Sequence, residues 1–220
     1  AVNAALTALK FLGGFYGGSK ALLADALHSL SDLISDFLAL VGLHFYRKGK
    51  DHSHPYGHGK IETLSTLGIG ILLLGAAVWI GIDAARTIYK RAFTTPHLYT
   101  IWIAGLSILS KELLYQITTR TALRIKSDVM AANAWHHRTD AITSVVALAG
   151  IALARFVPSL IFLDSYAAIL VSFFIIRIGV DIIRGSLDKI IDTALPNQLI
   201  EGVEEEIQKI EGIIGVHDTA

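Results

Sequence analysis

Nineteen consecutive residues, Leu64 to Ile82, carry no ionisable side chain. As an α-helix rising 1.5 Å per residue they extend about 28 Å, close to the roughly 30 Å hydrocarbon core of a bilayer. A helix on the surface of a soluble domain keeps a polar face toward water, and this run offers only Ser65 and Thr66 for one. The surrounding segment, IETLSTLGIGILLLGAAVWIGIDAARTIY, therefore commits the chain to a membrane. Composition points the same way. Apolar residues make up 53% of the 220 and charged residues 17%, against about 25% charged in a soluble domain.

Five further apolar stretches accompany that run, giving six expected spans at about 1–17, 22–46, 61–88, 98–120, 129–156 and 159–184. The third is the strongest. The first, second, fourth and fifth each carry ionisable residues. Gly and Ala recur in all six, as expected where membrane helices pack closely. Nineteen basic residues against nineteen acidic ones leave no net field to attract nucleic acid. With no Cys, disulfides, thiolate nucleophiles and cysteine-ligated metals are excluded. No GxGxxG, phosphate loop or HExxH is present, so neither ATP drive nor zincin-type proteolysis has support, and the chain is not read as an enzyme.

Both ends read as truncated. Ala1 lies inside the apolar run AVNAALTALKFLGGFYGG, with no basic leader before it, and EGIIGVHDTA stops where a strand should begin. From about residue 185 the chain loses its span character. Beyond Pro196, Ile200, Val203, Ile207 and Ile210 recur at helical intervals up to Gly212, and IIGVHD reads as a strand. The chain divides into a membrane domain, 1–185, and the start of a further domain, 186–220. Basic residues orient the spans. Arg47, Lys48, Lys50, Lys60, Arg120, Arg124 and Lys126 lie on one side, and Lys20, Arg86, Lys90, Arg91 and Arg155 on the other. The richer side, joined by Arg184, Lys189 and Lys209 of the tail, is expected to be cytoplasmic. Both termini fall there.

What the apolar spans tolerate bears most directly on function. The second span contains His28 and Asp32, and the fifth His136 and Asp140, four residues apart in each case. Residues so spaced share a helix face. Two such faces brought together present two imidazoles and two carboxylates, which suits tetrahedral Zn²⁺. Burying carboxylates in a bilayer is costly unless a cation offsets them. A single His–Asp pair could be an interhelical hydrogen bond, but a second matching pair favours a metal site. Asp25 could accept a hydrogen bond from a ligand or face the aqueous side. His137 is rotated about 100° from His136 on a helix of 3.6 residues per turn. Asp36 continues the His28–Asp32 face toward the cytoplasm. Lys111, Glu112 and Arg177, together with Lys10 and Arg138, read as interhelical salt bridges or pore-lining groups. A second cluster lies in the loop RKGKDHSHPYGHGK, where Asp51, His52, His54 and His58 are compatible with Zn²⁺, or with an exposed and weakly binding His-rich loop.

The segments GSKALLADALHSLSDLISDF, HPYGHGKIETL, KELLYQ, ANAWHHRTDAITS and SLDKIIDTALP resemble, in order and spacing, those of the cation diffusion facilitator family of divalent-metal exporters. The resemblance runs over nearly the whole chain. It implies a six-transmembrane-helix bundle followed by a cytoplasmic ferredoxin-like α/β domain, of which residues 186–220 are the start. It also implies a transport site at His28, Asp32, His136 and Asp140. A loop site would match Asp51, His54 and His58, and a site in the cytoplasmic domain would match His217. Family members are homodimers, with much of the contact supplied by that domain. His at position 28 resembles the zinc-handling members, whereas Asp is commoner there in iron, zinc and cadmium carriers.

The expected function is thus export of a divalent cation, Zn²⁺ foremost and Fe²⁺, Cd²⁺, Co²⁺ or Mn²⁺ as alternatives. Metal would exchange for protons by alternating access across the plasma (inner) membrane of a prokaryote. The rival reading is a membrane scaffold or metal sensor that keeps the site without transporting.

Overall fold

The computed structural model describes residues 2–46, 59–125, 128–191 and 207; within the helices, the side chains of 36, 38–46, 59–62, 128, 129, 131–133 and 136 are not described. Among the described residues there are six long helices: α1 (Val2–Gly17), α2 (Lys20–Tyr46), α3 (Gly59–Lys90), α4 (Leu98–Ile125), α5 (Asp128–Phe156) and α6 (Leu163–Ile190). They fall on the six apolar stretches. Among the described residues there is no strand. Of the expected ferredoxin-like segment, 186–220, residues 186–190 continue α6, and beyond 191 only Ile207, which is helical, lies within the described residues.

Among the described residues, three stretches are long and apolar enough to cross a membrane by length and composition: Thr63–Lys90, His137–Phe156 and Pro158–Ile190. The fifth is therefore stronger than the sequence suggested. Its charges, Arg138 and Asp140 in the first turn and Arg155 in the last, lie at the two ends and leave the run from Ala141 to Ala154 uncharged. Large apolar side chains project outward along the bundle, Leu72, Trp79, Trp102 and Phe173 among them. A soluble protein would not expose so many. The molecule is an integral, multi-pass membrane protein built as a helical bundle.

α3 packs most extensively along α6, and α4 along α5, while α2 touches α1, α3, α5 and α6. Small residues allow these approaches. Ala24 and Leu27 of α2 meet Leu73, Ala77, Ile80 and Ala84 of α3 and Ala168, Val171 and Ile175 of α6 in one buried cluster. A second cluster joins Ala21 and Leu22 to Ala104, Ala147, Ile151 and Ala167. At Gly150 of α5 an added methyl would lie 2.5 Å from Ala167 Cβ and 3.1 Å from the Leu163 carbonyl oxygen of α6. Only a hydrogen fits there.

The turn between α1 and α2 shows how local sequence sets a helix start. Gly18 adopts φ +65, a conformation that costs glycine little. Ser19 then caps α2: its Oγ accepts from the Leu22 N–H at 3.1 Å and donates to Asp164 Oδ1 at 2.6 Å. Asp164 Oδ2 accepts the Lys20 N–H at 2.8 Å, so a carboxylate of α6 completes the cap of α2. Lys20 also pairs with Asp83 of α3. These contacts fix α2, α3 and α6 at the end of the bundle where α2 and α6 begin.

Candidate metal centre

His28 and Asp32 lie one turn apart on α2, and Asp140 faces them from α5. One donor atom from each lies within 4.8 Å of the other two. His28 and Asp140 are buried and Asp32 is half-buried. His28 Nε2 is 3.6 Å from Asp140 Oδ1, too far for a hydrogen bond. Bonds of 2.0–2.1 Å to a tetrahedral Zn²⁺ place neighbouring donors about 3.3 Å apart. The His28–Asp140 separation is thus near a coordination edge, and a modest contraction would close the set. Neither His28 ring nitrogen has a hydrogen-bond partner among the described residues. A buried imidazole without a hydrogen bond is costly, and a metal ligand of this kind would remove that cost. The three side chains fit a divalent cation.

His136, the fourth ligand expected from the sequence, is on α5, one turn before Asp140, and its side chain lies outside the described residues. Asp51, His54, His58 and His217 also lie outside them, as do His52 and the Asp36 side chain.

Among the described residues a large cavity leads away from the cluster toward one end of the bundle. A cavity of about 660 Å³ starts at His28, Asp32 and Asp140 and continues past Ser35, Arg177 and Asp181 between α2, α5 and α6. On α6 its lining extends from Leu170 to Asp181, eleven helical rises that cover about 16 Å. The other direction is closed by polar packing. Lys10 of α1, fully buried, lies 2.7 Å from Asp25 Oδ2 and donates to Ser29 Oγ at 2.9 Å and Ser144 Oγ at 3.3 Å. Ser144 Oγ in turn donates to Asp25 Oδ1 at 2.8 Å. Asp25 lies three residues before His28, and Ser144 four after Asp140, so the network occupies the next helical turn beyond the cluster on both α2 and α5. Asp25 is therefore an ion-pair partner of Lys10 rather than part of the His–Asp–Asp cluster.

Other charges in the spans have distinct fates. Lys10 forms the interhelical salt bridge expected of it. Arg138 donates to the Tyr115 hydroxyl at 2.9 Å and lies over the Tyr115 ring, so it ties α5 to α4 through an aromatic partner rather than a carboxylate. Glu112 accepts from Gln116 within α4. Lys111 Nζ lies 3.8 Å from Asp32 Oδ2 and 3.9 Å from Asp140 Oδ2, which puts a cation beside the His–Asp–Asp cluster. The sequence reads Lys111 as an interhelical salt bridge or a pore-lining group, and its partners depend on how α4 is turned toward α2 and α5.

The family profile for the cation efflux transmembrane domain matches residues 1–191. Metal tolerance protein C1 of Arabidopsis thaliana is 38% identical over 96% of this chain and 48% of its own length. An uncharacterized transporter of Methanocaldococcus jannaschii is 34% identical over 98% of this chain and 76% of its own. The manganese efflux system protein MneP of Bacillus subtilis is 31% identical over 90% of this chain and 68% of its own. The chain spans about half the length of the Arabidopsis relative.

Proposed function

The chain belongs to the cation efflux family, a family of transporters rather than enzymes, and from that premise we propose that it is the membrane domain of a Zn²⁺ exporter. His28, Asp32, His136 and Asp140 form the transport site in this reading. The observation that carries it is the buried His28–Asp32–Asp140 cluster at the head of a cavity. Two imidazoles and two carboxylates favour Zn²⁺ over the harder Mn²⁺, which prefers oxygen donors. Manganese, named for the Bacillus relative, is the chief rival cargo; Fe²⁺, Cd²⁺ and Co²⁺ follow.

The cation crosses by alternating access in exchange for protons. Its ligands must shed protons to bind it, and protons arriving from the far side compete for the same atoms and release it. The excess of basic loop residues supports a cytoplasmic location for both termini and the open end of the cavity, and in this reading the cavity admits cargo from within. The Lys10–Asp25–Ser29–Ser144 network then forms the closed outer side. α1, α2 and α4, whose hydropathy is lowered by groups such as Lys10, Asp25 and Lys111, span with the other three. Residues 1–185 form the six-span domain. Residues 186–220 begin the ferredoxin-like cytoplasmic domain through which the protein forms a homodimer. His217 contributes to a metal site there, and Asp51, His54 and His58 to one in the loop before α3. This reading assigns the protein to the plasma membrane of a prokaryote.

The test is uptake of Zn²⁺, Mn²⁺, Cd²⁺, Fe²⁺ and Co²⁺ into proteoliposomes under an imposed pH gradient. Zn²⁺ flux should depend on the gradient and disappear in Asp32→Ala and Asp140→Ala, with His54→Ala and His58→Ala retaining most of it. Flux that survives Asp140→Ala would remove the site from the transport path.

A further inference from the structure

Lys111 is the one lysine whose ammonium faces the metal-binding cluster among the described residues. It projects from α4, is 9% exposed, and its Nζ has no hydrogen-bond partner there. Carboxylate oxygens of Asp32 and Asp140 lie at 3.8 and 3.9 Å, near enough for strong attraction but beyond direct hydrogen bonding. A small cavity of about 30 Å³ adjoins Lys111, Asp32 and Asp140, bounded also by Ser29, Ser107 and His137. That is room for a bridging water. A salt bridge built only for stability would close to hydrogen-bonding distance, as Lys10 and Asp25 do at 2.7 Å. Lys111 instead stands off two carboxylates that both belong to the metal-binding cluster.

Resting on the metal-site reading above, we propose that Lys111 is a tethered competitor of the transported cation: its ammonium balances Asp32 and Asp140 when the carrier holds no cargo and yields them when a divalent ion binds. The physical argument concerns the empty carrier. Two carboxylates in a low-dielectric bundle repel each other and are poorly solvated. A cation supplied by the protein lowers that cost, allowing the helices to return without cargo. The same cation weakens metal binding, because its attraction to the carboxylates must be given up or shared. Affinity is therefore held low enough for release, with turnover as the gain. The flexible four-carbon stem and point charge of Lys suit this role, since the amine can withdraw into the adjoining cavity while α4 stays in place.

The test uses the purified full-length protein in nanodiscs and in liposomes, with Zn²⁺ as the probe. Lys111→Gln should bind Zn²⁺ at least tenfold more tightly than wild type by competitive titration against a chelating dye, while its maximal transport rate falls severalfold. Lys111→Arg, which keeps the charge, should retain near-wild-type affinity. Damage to the bundle would weaken binding, so tightening separates competition from a structural role. Equal or weaker binding by folded Lys111→Gln overturns the proposal. Should that variant not fold, the wild type decides: with ¹⁵N-labelled lysine, saturating Zn²⁺ must shift an Nζ resonance that is missing from Lys111→Arg, and a lysine spectrum unmoved by saturation overturns it. Wild-type affinity that survives Asp140→Asn overturns the metal site itself, and this inference with it.

Discussion

Replacing Asp25 with alanine removes the one carboxylate within ion-pair distance of Lys10 among the described residues. Both side chains are fully buried, and two serine hydroxyls cannot balance an ammonium. Breaking a buried ion pair by deleting one partner typically costs about 3–5 kcal/mol, because the other charge stays behind uncompensated. For a soluble domain of 150–250 residues each kcal/mol moves the midpoint by about 2–4 °C, which corresponds to a loss of about 6–20 °C here. A helical bundle that keeps its helices on unfolding exposes less surface, so its entropy change is smaller and the shift falls at the upper end. Removing both charges is a different perturbation. Lys10→Met with Asp25→Leu leaves an apolar contact of similar volume, and such replacements are often neutral or stabilising. Ser29 and Ser144 can then bond back to the carbonyl one turn earlier on their own helices. The assay is thermal unfolding in detergent followed by tryptophan fluorescence, for wild type, both single variants and the double variant. A single Asp25→Ala that unfolds within 2 °C of wild type, or a double variant that falls as far as it does, would refute the reasoning.

Three further outcomes follow from the geometry. His28→Asp exchanges a nitrogen donor for oxygen, so the Mn²⁺/Zn²⁺ flux ratio in liposomes should rise; an unchanged ratio would assign selectivity elsewhere. Gly150→Ala forces a methyl against Ala167 and the α6 backbone, and should destabilise the bundle by about 1–3 kcal/mol; a melting midpoint equal to wild type would show that α5 and α6 part easily. Ser19→Ala removes both the cap on the Leu22 N–H and a donor to buried Asp164, with an expected cost of about 2 kcal/mol, and hydrogen exchange at the first turn of α2 is where the loss should register.

Much of this was legible in the chain itself, because a bilayer leaves few options. Backbone groups in hydrocarbon must bond within their own helix, so apolar runs such as the one from 98 became helices such as Leu98–Ile125. The second span was placed two residues late, at 22, because the cap that starts α2 is Ser19 assisted by a carboxylate of α6. His28 and Asp32 could be paired from spacing, since a helix fixes its own faces. Pairings between helices were not legible. Nothing in periodicity says that Lys10 meets Asp25 or that Lys111 faces Asp32 and Asp140. Those contacts depend on helix rotation and depth, which arise from packing of residues such as Ala24, Ala77 and Ala168.

The shared cap of α2 has a consequence for biogenesis. Ser19 and Lys20 emerge from the ribosome long before Asp164, which lies 145 and 144 residues later. Until α6 arrives, the start of α2 holds a backbone N–H whose eventual acceptor has not been made. The first five helices can enter the membrane, but the seal of α2 waits for the last. Completion of the fold is thereby tied to completion of the membrane segment, and a nascent chain interrupted before α6 would display an unmatched polar turn, a mark that membrane quality control could read.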